Sequence, residues 1–248
     1  MNRKIKMLID FFTPRPFQLS LRYNYLKYKN KLDPEMFFVE NLLNKKRRFL
    51  DIGSNIGTYS YHFCKSMKNI EVFEPFFEAT NYLRKLNNKK IRIHNVALSN
   101  KPNTEELFIP IIDGYPISAL SSLEPVNRNN KFEKRVVQVH KLDDYNFFDV
   151  DLIKIDVEGH EINVINGALD TLKKNKPILL VEIEQRHITK PINEIFNEIC
   201  LLEYDGFFLQ KDMLKSINEF SYDKDQKPYL NNVMSSNYIN NFIFLPIN

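Results

Sequence analysis

The chain has 248 residues, of which 35 are Lys or Arg and 31 are Asp or Glu, so its net charge is +4. Hydrophobic residues make up 43% and charged residues 27% of the sequence, as in an ordinary globular protein. A balance this even does not favour a nucleic-acid partner, which usually requires a clustered basic face. No apolar run reaches the ~18 residues of a membrane-spanning helix, so we expect no transmembrane segment.

Two cysteines, Cys64 and Cys200, lie in apolar helical contexts far apart in the chain. Buried free thiols are the simplest interpretation, and free thiols are typical of a reducing compartment. The sequence therefore predicts a cytoplasmic protein. It leaves the oligomeric state open.

Residues 1–46 are predicted to form an N-terminal helical extension, ahead of a main domain over residues 47–248. Asp33, Pro34 and Glu35 are typical of an N-cap, a first-turn proline and an acid at a helix N-terminus, so we expect a helix to about Asn44. Its apolar face is expected to pack against the core. The start "MNRKIKMLIDFF" joins basic residues to a short apolar patch, which leaves weak peripheral contact with a membrane surface open.

Strand and helix patterns alternate along the main domain. Continuous apolar stretches such as "DLIKIDV" and "PILLVEI" are typical of strands covered on both faces. The alternation predicts an α/β fold, a Rossmann-like and mostly parallel sheet with helices on both faces. The predicted strands are Arg48–Ile52, Ile70–Glu74, Ile91–Val96, Leu152–Val157 and Ile178–Glu184, and the predicted helices are Gly57–Met67, Phe76–Asn87, His160–Leu172 and Ile192–Leu202.

Residues 102–147 interrupt this alternation. They hold two extended runs, "EELFIPI" and "RVVQVHKL", around a polar stretch, so we expect a hairpin-like insertion with a loop that leans over one sheet edge. Near the C-terminus, "YDGFFLQ" and "NNFIFLPIN" are short and apolar, with a polar loop between them over about residues 211–238. This pair predicts an antiparallel terminal hairpin.

The loop "DIGSNIG" follows the first predicted strand and carries two of only six glycines. Gly53 is expected to permit the tight turn, and Gly57 to let the next helix pack closely on the strand. The spacing differs from the G-x-G-x-x-G of dinucleotide sites, and no G-K-[ST] follows. Asp51, at the end of the strand, would also repel a pyrophosphate. The loop therefore favours a ligand that carries positive charge.

A second acid, Glu74, ends the next predicted strand, 23 residues after Asp51. A carboxylate at that place suits the two hydroxyls of a ribose. Phe73 and Pro75 beside it could form an apolar wall for adenine. S-adenosylmethionine combines an adenosine with an ammonium and a sulfonium, so the pairing of Asp51 with Glu74 favours this cofactor.

Another dense group of ionisable residues lies in "DLIKIDVEGHEINVINGA". A buried strand is expected to end at Asp156, and Glu158, His160 and Glu161 follow at the turn into a helix. Charges at the functional edge of a sheet are costly unless they are solvated, paired or used. A plain alternative is that the acids favour the helix N-terminus and that His160 is a surface turn residue.

In order and spacing, "FLDIGSNIGTYS", "VFEPF", "IHNVALSN", "SSL", "DLIKIDVEGHEINVINGA" and "PILLVEIE" resemble the FkbM-type methyltransferases. The resemblance runs from about Asp33 to Gln210. It implies a class I S-adenosylmethionine-dependent methyltransferase, with a seven-stranded sheet whose last strand is antiparallel. It further implies O-methylation of a hydroxyl on a sugar, glycan or natural-product glycoside. The cofactor-binding residues expected from motif and resemblance are Asp51, Gly53, Ser54, Asn55, Gly57, Thr58, Tyr59, Phe73, Glu74, Pro75, Asn95, Val96, Ala97 and Ser122.

Methyl transfer to a hydroxyl needs a group that removes the hydroxyl proton. His160 is the expected base, with Asp156 orienting it or acting directly, and Glu182 is expected to meet Asp156 across adjacent strand ends. His187 is a second candidate for the base. Two carboxylates at this place could also hold Mg²⁺, and the spacing leaves a metal open.

Three other readings remain open from the sequence. A nucleotide-dependent oxidoreductase is disfavoured by the missing G-x-G-x-x-G. A non-catalytic cofactor-binding module is disfavoured by the presence of both Asp156 and His160. N-methylation of an amino sugar or a protein side chain is the closest alternative, but its common [N/D]-P-P-[Y/F] loop is replaced here by "DVEG". The acceptor itself is not readable from the sequence.

Overall fold

The computed structural model describes residues 11–112, 114–117, 120–124 and 131–247. The basic start of the extension and parts of the polar stretch in the insertion lie outside these residues. The helices are α1 Gln18–Tyr28, α2 Pro34–Leu42, α3 Thr58–Phe63, α4 Asn81–Leu86, α5 Glu161–Asn166, α6 Leu169–Asn175, α7 Ile192–Cys200 and α8 Tyr222–Asp225. The strands are β1 Arg48–Ile52, β2 Asn69–Phe73, β3 Ile91–His94, β4 Ala97–Leu98, β5 Asn103–Ile112, β6 Tyr115–Pro116, β7 Lys131–His140, β8 Val150–Ile155, β9 Ile178–Glu182, β10 Tyr204–Gln210, β11 Met213–Ser216 and β12 Asn241–Pro246.

The main sheet has the strand order β11-β10-β12-β9-β8-β1-β2-β3. The strands from β9 to β3 are parallel, and β12 runs antiparallel to both β9 and β10. This arrangement confirms the predicted α/β class with its mostly parallel sheet and antiparallel last strand.

The main sheet has eight strands, one more than the seven predicted. The additional strand is β11, which forms a tight hairpin with β10 at the start of the expected polar loop. Lys211 and Asp212 both have positive φ, as a two-residue type I′ turn requires. Neither is the glycine or asparagine that normally marks such a turn, so the sequence pattern does not reveal it.

Helices cover both faces of the main sheet. On one face, Leu19 of α1, Met36 of α2 and Phe63 of α3 share a buried cluster with the sheet. On the other face, α5, α6 and α7 contribute buried side chains to a second cluster. The expected packing of α2 is therefore confirmed, while the predicted domain boundary near residue 46 stays a prediction. None of the helices among the described residues is long and apolar enough to cross a membrane.

The predicted helix over His160–Leu172 is two helices in the structure, α5 and α6, which meet at Gly167 and Ala168. A side chain at Gly167 would lie 2.1 Å from the carbonyl oxygen of Ser99, so this glycine allows the interruption to approach the neighbouring loop. The other predicted helices keep their places but are shorter at one or both ends.

The insertion forms a separate sheet with the order β4-β7-β5-β6. Strands β5 and β7 make the long antiparallel hairpin that the sequence predicts. The third predicted strand stops at His94, and the chain then crosses to this second sheet as β4. Leu107 and Ile109 of β5 pack with Phe76 and Ala79, just beyond the carboxyl end of β2. The insertion therefore leans over the functional edge of the main sheet, as expected.

The glycine after β1 lies in close contact with the end of β8. Gly53 has φ +75°, and a Cβ there would lie 1.7 Å from the carbonyl oxygen of Asp156. Its own amide donates to the carbonyl of Phe73 at 2.9 Å. Both the backbone conformation and the lack of space therefore demand glycine at this position.

We expect Gly53→Ala to lower the free energy of unfolding by more than about 3 kcal/mol, because conformational strain and a clash with strand backbone add together. Gly114→Ala is the matched control, since Gly114 also has positive φ (+78°) but nothing within 4 Å of an added Cβ. That control should cost only about 1 kcal/mol. Urea unfolding measures both, and equal losses would contradict the role of the close approach.

Candidate active site

The pairing register of the parallel strands gathers four ionisable side chains on one face of the sheet. Asp51 of β1 is opposite Lys154 of β8, and Lys154 is opposite Leu180 of β9. Because side chains alternate along a strand, Asp156 shares the face of Lys154, and Glu182 shares the face of Leu180. The four groups therefore converge at the carboxyl ends of the strands.

Lys154 is the centre of this group and is only 2% exposed. Its Nζ lies 3.9 Å from Asp156 Oδ2 and 3.7 Å from Glu182 Oε2, and it donates to the Ile155 carbonyl at 3.3 Å. Burial lowers the pKa of Lys154, but the charges of Asp156, Glu182, Asp33 and Asp51 outweigh burial and raise it. Lys154 is therefore a buried ammonium ion. The expected meeting of Glu182 with Asp156 takes place through it.

Asp51 is fully buried at the end of β1. Its Oδ2 accepts from the amide of Ser60 at 3.0 Å and from the Ser60 hydroxyl at 2.5 Å, which ties the strand end to α3. Burial raises the pKa of Asp51 to about 6, while Ser60 and Lys154 oppose that rise. A cation in the neighbouring space would favour its ionised form.

The loop between β1 and α3 bends through residues with positive φ, namely Gly53, Asn55 (φ 49°) and Gly57 (φ 85°). Gly57 differs from its predicted role, because a Cβ there would collide with the side chain of Leu83 in α4 rather than with the strand. Ser54 is buried, and none of the described residues forms a hydrogen bond with its hydroxyl. This loop therefore presents an unsatisfied polar group.

Glu74 follows β2 and is held by two backbone amides. Asn55 N–H donates to Oε2 at 2.8 Å and Phe76 N–H to Oε1 at 2.9 Å. Burial raises the pKa of Glu74 to about 7, partly offset by these two donors. Asn95 donates to the Glu74 carbonyl at 3.0 Å and so braces the turn.

Two cavities open along the carboxyl edge of the sheet. The first lies between β1, β2, β8 and the insertion. It is lined by Ile52, Gly53, Asn55, Phe73, Glu74, Pro75, Val96, Ala97, Leu98, Leu107, Ser121, Ser122, Leu123, Asp156, Val157, Glu158 and His160. Most of the expected cofactor residues are among them, with the apolar wall of Phe73 and Pro75 beside Glu74. The expected residues Asp51, Ser54, Thr58 and Tyr59 line a second cavity instead. Gly57 and Asn95 line neither cavity.

The second cavity lies on the side of the main sheet that α2 and α3 cover. It is lined by Leu26, Lys31, Leu32, Asp33, Met36, Asp51, Gly53, Ser54, Asn55, Ile56, Thr58, Tyr59, Lys154, Asp156 and Met234, and has a volume of about 340 Å³. Five of these side chains come from the N-terminal extension, for which the sequence predicts no part in the site. Gly53, Asn55 and Asp156 line both cavities, so the two spaces meet there.

Asp33 belongs to this second cavity instead of capping α2. No side-chain capping hydrogen bond is made at the start of α2, and Asp33 Oδ2 accepts from the Tyr59 hydroxyl at 2.7 Å. Burial raises the pKa of Asp33, with Tyr59 and Lys154 opposing that rise. The ring of Tyr59 in turn lies 5.4 Å from Lys154 Nζ.

His160 lies in the wall of the first cavity, but it is not paired with Asp156 as expected. Its Nε2 contacts the Ser99 hydroxyl at 2.9 Å, and its Nδ1 lies 3.2 Å from Glu124 Oε1. The chain turns through Glu158 and Gly159, both with positive φ, so the ring faces the insertion. Ser122 supports the same turn, because its hydroxyl donates to the Glu158 carbonyl at 2.8 Å.

The residues do not fit the Mg²⁺ ion that the sequence left open. Between Asp156 and Glu182 stands the ammonium of Lys154, which supplies the positive charge there. A second group, Glu158, Glu184 and His187, has ligand atoms within 4.8 Å of one another. Arg186 donates two hydrogen bonds to the Glu184 carboxylate, at 2.7 and 2.8 Å, and His187 forms an ion pair with Glu158 at 2.7 Å. These contacts satisfy that group without a metal.

The fold is that of a class I S-adenosylmethionine-dependent methyltransferase. A sequence profile of the methyltransferase FkbM domain matches residues 51–222. The chain therefore belongs to the FkbM methyltransferase family.

A search of curated protein sequences finds no match. The chain is similar in structure to methyltransferase FkbM from Methylobacillus flagellatus KT, with a TM-score of 0.55 and 15% identity over 92% of this chain and 52% of that one. It thus spans about half the length of that protein, and the likeness shows the fold. A precorrin-6y C5,15-methyltransferase from Geobacter metallireducens GS-15 gives a TM-score of 0.45 and 10% identity over 86% of this chain and 87% of that one.

The residues fit S-adenosylmethionine on three observations. Glu74 has both carboxylate oxygens fixed by backbone donors, so they are positioned to accept from a ribose diol. Ser54 lines the second cavity, and its buried hydroxyl has no hydrogen-bond partner among the described residues. The buried carboxylates around Asp51 and Asp156 favour a ligand with positive charge.

We expect the affinity for S-adenosylmethionine to fall about tenfold between pH 8 and pH 6. Glu74, with a pKa of about 7, accepts both ribose hydroxyls only when ionised, so the affinity rises as the pH rises through that value. Calorimetric titration at a series of pH values measures this. Glu74→Gln should weaken binding at pH 8 and reduce the slope, while Glu106→Gln, at an exposed glutamate of β5, should change neither. An unreduced slope in Glu74→Gln would place the titrating group elsewhere.

Proposed function

We propose that this protein is an S-adenosylmethionine-dependent O-methyltransferase that acts on a hydroxyl of a sugar, glycan or natural-product glycoside. The observation that carries the proposal is the place of Asp156, which lines both cavities. In this assignment, the first cavity holds the adenosine, and the second holds the cofactor's amino-acid end beside Asp51 and Ser54 and admits the acceptor next to it. The Asp156 carboxylate then lies where the two ligands meet.

Methyl transfer to oxygen forms an O–C bond at the acceptor as the methyl–sulfur bond breaks, and the bound cofactor supplies that electrophilic methyl group. The protein has two tasks, which are to align the acceptor and to take the hydroxyl proton. We assign the proton to an Asp156 oxygen, since this carboxylate borders the acceptor space. His160 is the second candidate, because it lines the first cavity together with Asp156.

Oxygen is favoured over nitrogen as the acceptor atom. The turn after β8 reads "DVEG", with Glu158 paired to His187, and it lacks the amide-and-proline loop common in N-methyltransferases. A non-catalytic module is disfavoured because a ligand-binding role alone gives no reason to bury Lys154 between two carboxylates.

The second cavity combines apolar lining residues, Leu26, Leu32, Met36 and Met234, with charged ones, Asp33, Asp51, Lys154 and Asp156. Such a mixed lining suits a glycoside, which carries hydroxyl groups on its sugar and an apolar aglycone or deoxy position. Transfer of radiolabelled methyl to a panel of glycosides, amino sugars and peptides tests the assignment. Labelling of amines alone supports N-methylation, and cofactor binding with no transfer to any acceptor supports the module.

Asp156→Asn should lower kcat by at least about 100-fold, because it removes the base, and should change the dissociation constant of S-adenosylmethionine by less than about threefold. Asp151→Asn is the control, since Asp151 lies on the same strand but pairs with Arg47 at the opposite end. His160→Gln measured in parallel decides between the two candidates. A large loss in His160→Gln with a small one in Asp156→Asn would transfer the role of base to His160.

We propose that the protein works in the cytoplasm, in weak contact with membrane surfaces. The two cysteines are free thiols, which supports a reducing compartment. Phe11, Phe12 and Phe17 are 82%, 74% and 61% exposed at the start of the described chain. Exposed basic residues, Arg15 and Lys27, lie near them in sequence. Exposed aromatic rings beside basic groups are typical of contact with anionic lipid surfaces.

Replacement of Phe11, Phe12 and Phe17 by Ser should therefore reduce co-sedimentation with vesicles that contain 30% anionic lipid by about tenfold or more. Binding to neutral vesicles should be weak for both proteins. Phe148→Ser removes an equally exposed phenylalanine (83%) from another part of the surface and should leave vesicle binding unchanged. Equal sedimentation of the wild type with and without anionic lipid would contradict this contact.

A further inference from the structure

Lys154 has no role in the sequence patterns that identify the cofactor site. It is the fifth residue of the six-residue strand β8, which is covered on both faces, and its ammonium lies within 4 Å of two carboxylates from adjacent strand ends. A buried charge is costly unless it is paired, so its presence needs a specific reason.

The reason lies in the number of acids that face Asp156. The charge of Asp156 acts on acids of every neighbouring element and raises their pKa values. These acids are Asp33 before α2, Asp51 and Glu74 at the ends of β1 and β2, Glu158 and Glu161 in the turn and α5, and Glu182 in β9. Among the described residues, Lys154 is the only cation within 4 Å of Asp156. Without it, like charges from every neighbouring element would oppose ionisation of that carboxylate.

The contacts of Lys154 also fix the position of its ammonium group. The Lys154 ammonium donates to the carbonyl of Ile155, the residue between Lys154 and Asp156, and its ring contact is Tyr59, which Asp33 holds. The ammonium is thus fixed from its own strand and from the helices that cover it. A fixed cation can set the positions of two carboxylates that would otherwise repel each other.

We propose that Lys154 is a positioning residue for methyl transfer, which holds the Asp156 and Glu182 carboxylates side by side at the junction of the two cavities. This inference rests on the proposed function, in which Asp156 takes the proton of the acceptor. Lys154 itself takes no proton from the acceptor and acts through the two acids.

The test compares Lys154→Met, which keeps the length but removes the charge, with Lys154→Arg, which keeps the charge. In Lys154→Met, kcat should fall at least 100-fold at pH 7, and the acid limb of the kcat profile should move to higher pH by about one unit or more. Raising the pH should therefore recover part of the rate. Lys154→Arg should keep the acid limb of the wild type, even where its rate is lower.

Lys134→Met is the matched control, since Lys134 is also a strand lysine in an ion pair, 2.8 Å from Glu106 on the exposed insertion. It should leave kcat and the pH profile unchanged. An acid limb at the wild-type pH in Lys154→Met would overturn the proposal. So would equal losses in the Met and Arg variants with unshifted profiles, because this is what a merely structural lysine would give.

A second measurement does not depend on turnover. In the wild type, burial raises the pKa of Glu182 well above its usual value, and the charge of Lys154 opposes that rise. Carbon-13 titration of the glutamate carboxyl groups, assigned with Glu182→Gln, should show Glu182 titrating at higher pH in Lys154→Met. An unchanged Glu182 titration would overturn the proposal even if the protein is inactive on every acceptor. If the Glu182 titration shifts but no acceptor is methylated, the role of Lys154 is supported and the proposed function is contradicted.

Discussion

The contact between Gly53 and the backbone of Asp156 is the constraint on which the rest of the site depends. Since a Cβ at Gly53 would lie 1.7 Å from the Asp156 carbonyl oxygen, the ends of β1 and β8 touch backbone to backbone. The amide of Asp156 also donates to the Ile52 carbonyl at 3.0 Å, which extends the pairing beyond the last strand residue. Both cavities consequently border this contact, and Gly53, Asn55 and Asp156 line each of them.

Much of this arrangement is readable from the sequence, because it depends on strand ends. The apolar run Arg48–Ile52 gives β1 with its observed bounds, and Asp51 and Glu74 follow from it and from β2. Neighbouring parallel strands have their carboxyl ends at the same edge of the sheet. Acids at those ends therefore converge, whatever conformation the following loops adopt. The apolar wall of Phe73 and Pro75 follows by the same reasoning, and both residues line the first cavity.

What the sequence does not reveal depends on contacts between distant segments. Asp33 has every feature of an N-cap, yet the Tyr59 hydroxyl takes its carboxylate, and nothing near Asp33 in sequence signals that partner. His160 is next to acids in sequence but contacts Ser99 and Glu124, because Glu158 and Gly159 turn the chain toward the insertion. Lys154 was visible as a charge in an apolar strand, and alternation along β8 would have placed it on the face of Asp156.

The charges of the site explain why one buried lysine is enough and why a metal is not needed. Besides Asp156, the acids whose charges raise the pKa of Lys154 are Asp33, Asp51 and Glu182, and burial raises the pKa of all three. Acids of this kind share protons near neutral pH, so the effective negative charge is smaller than a count of carboxylates implies. A ligand with a sulfonium and an ammonium would lower the pKa values of these carboxyl groups and favour their ionised forms. The ionised carboxylates would then attract the ligand. A divalent ion would have to displace Lys154 from Asp156 and Glu182, whereas a cationic cofactor adds its charge from the cavity side and leaves that ion pair intact.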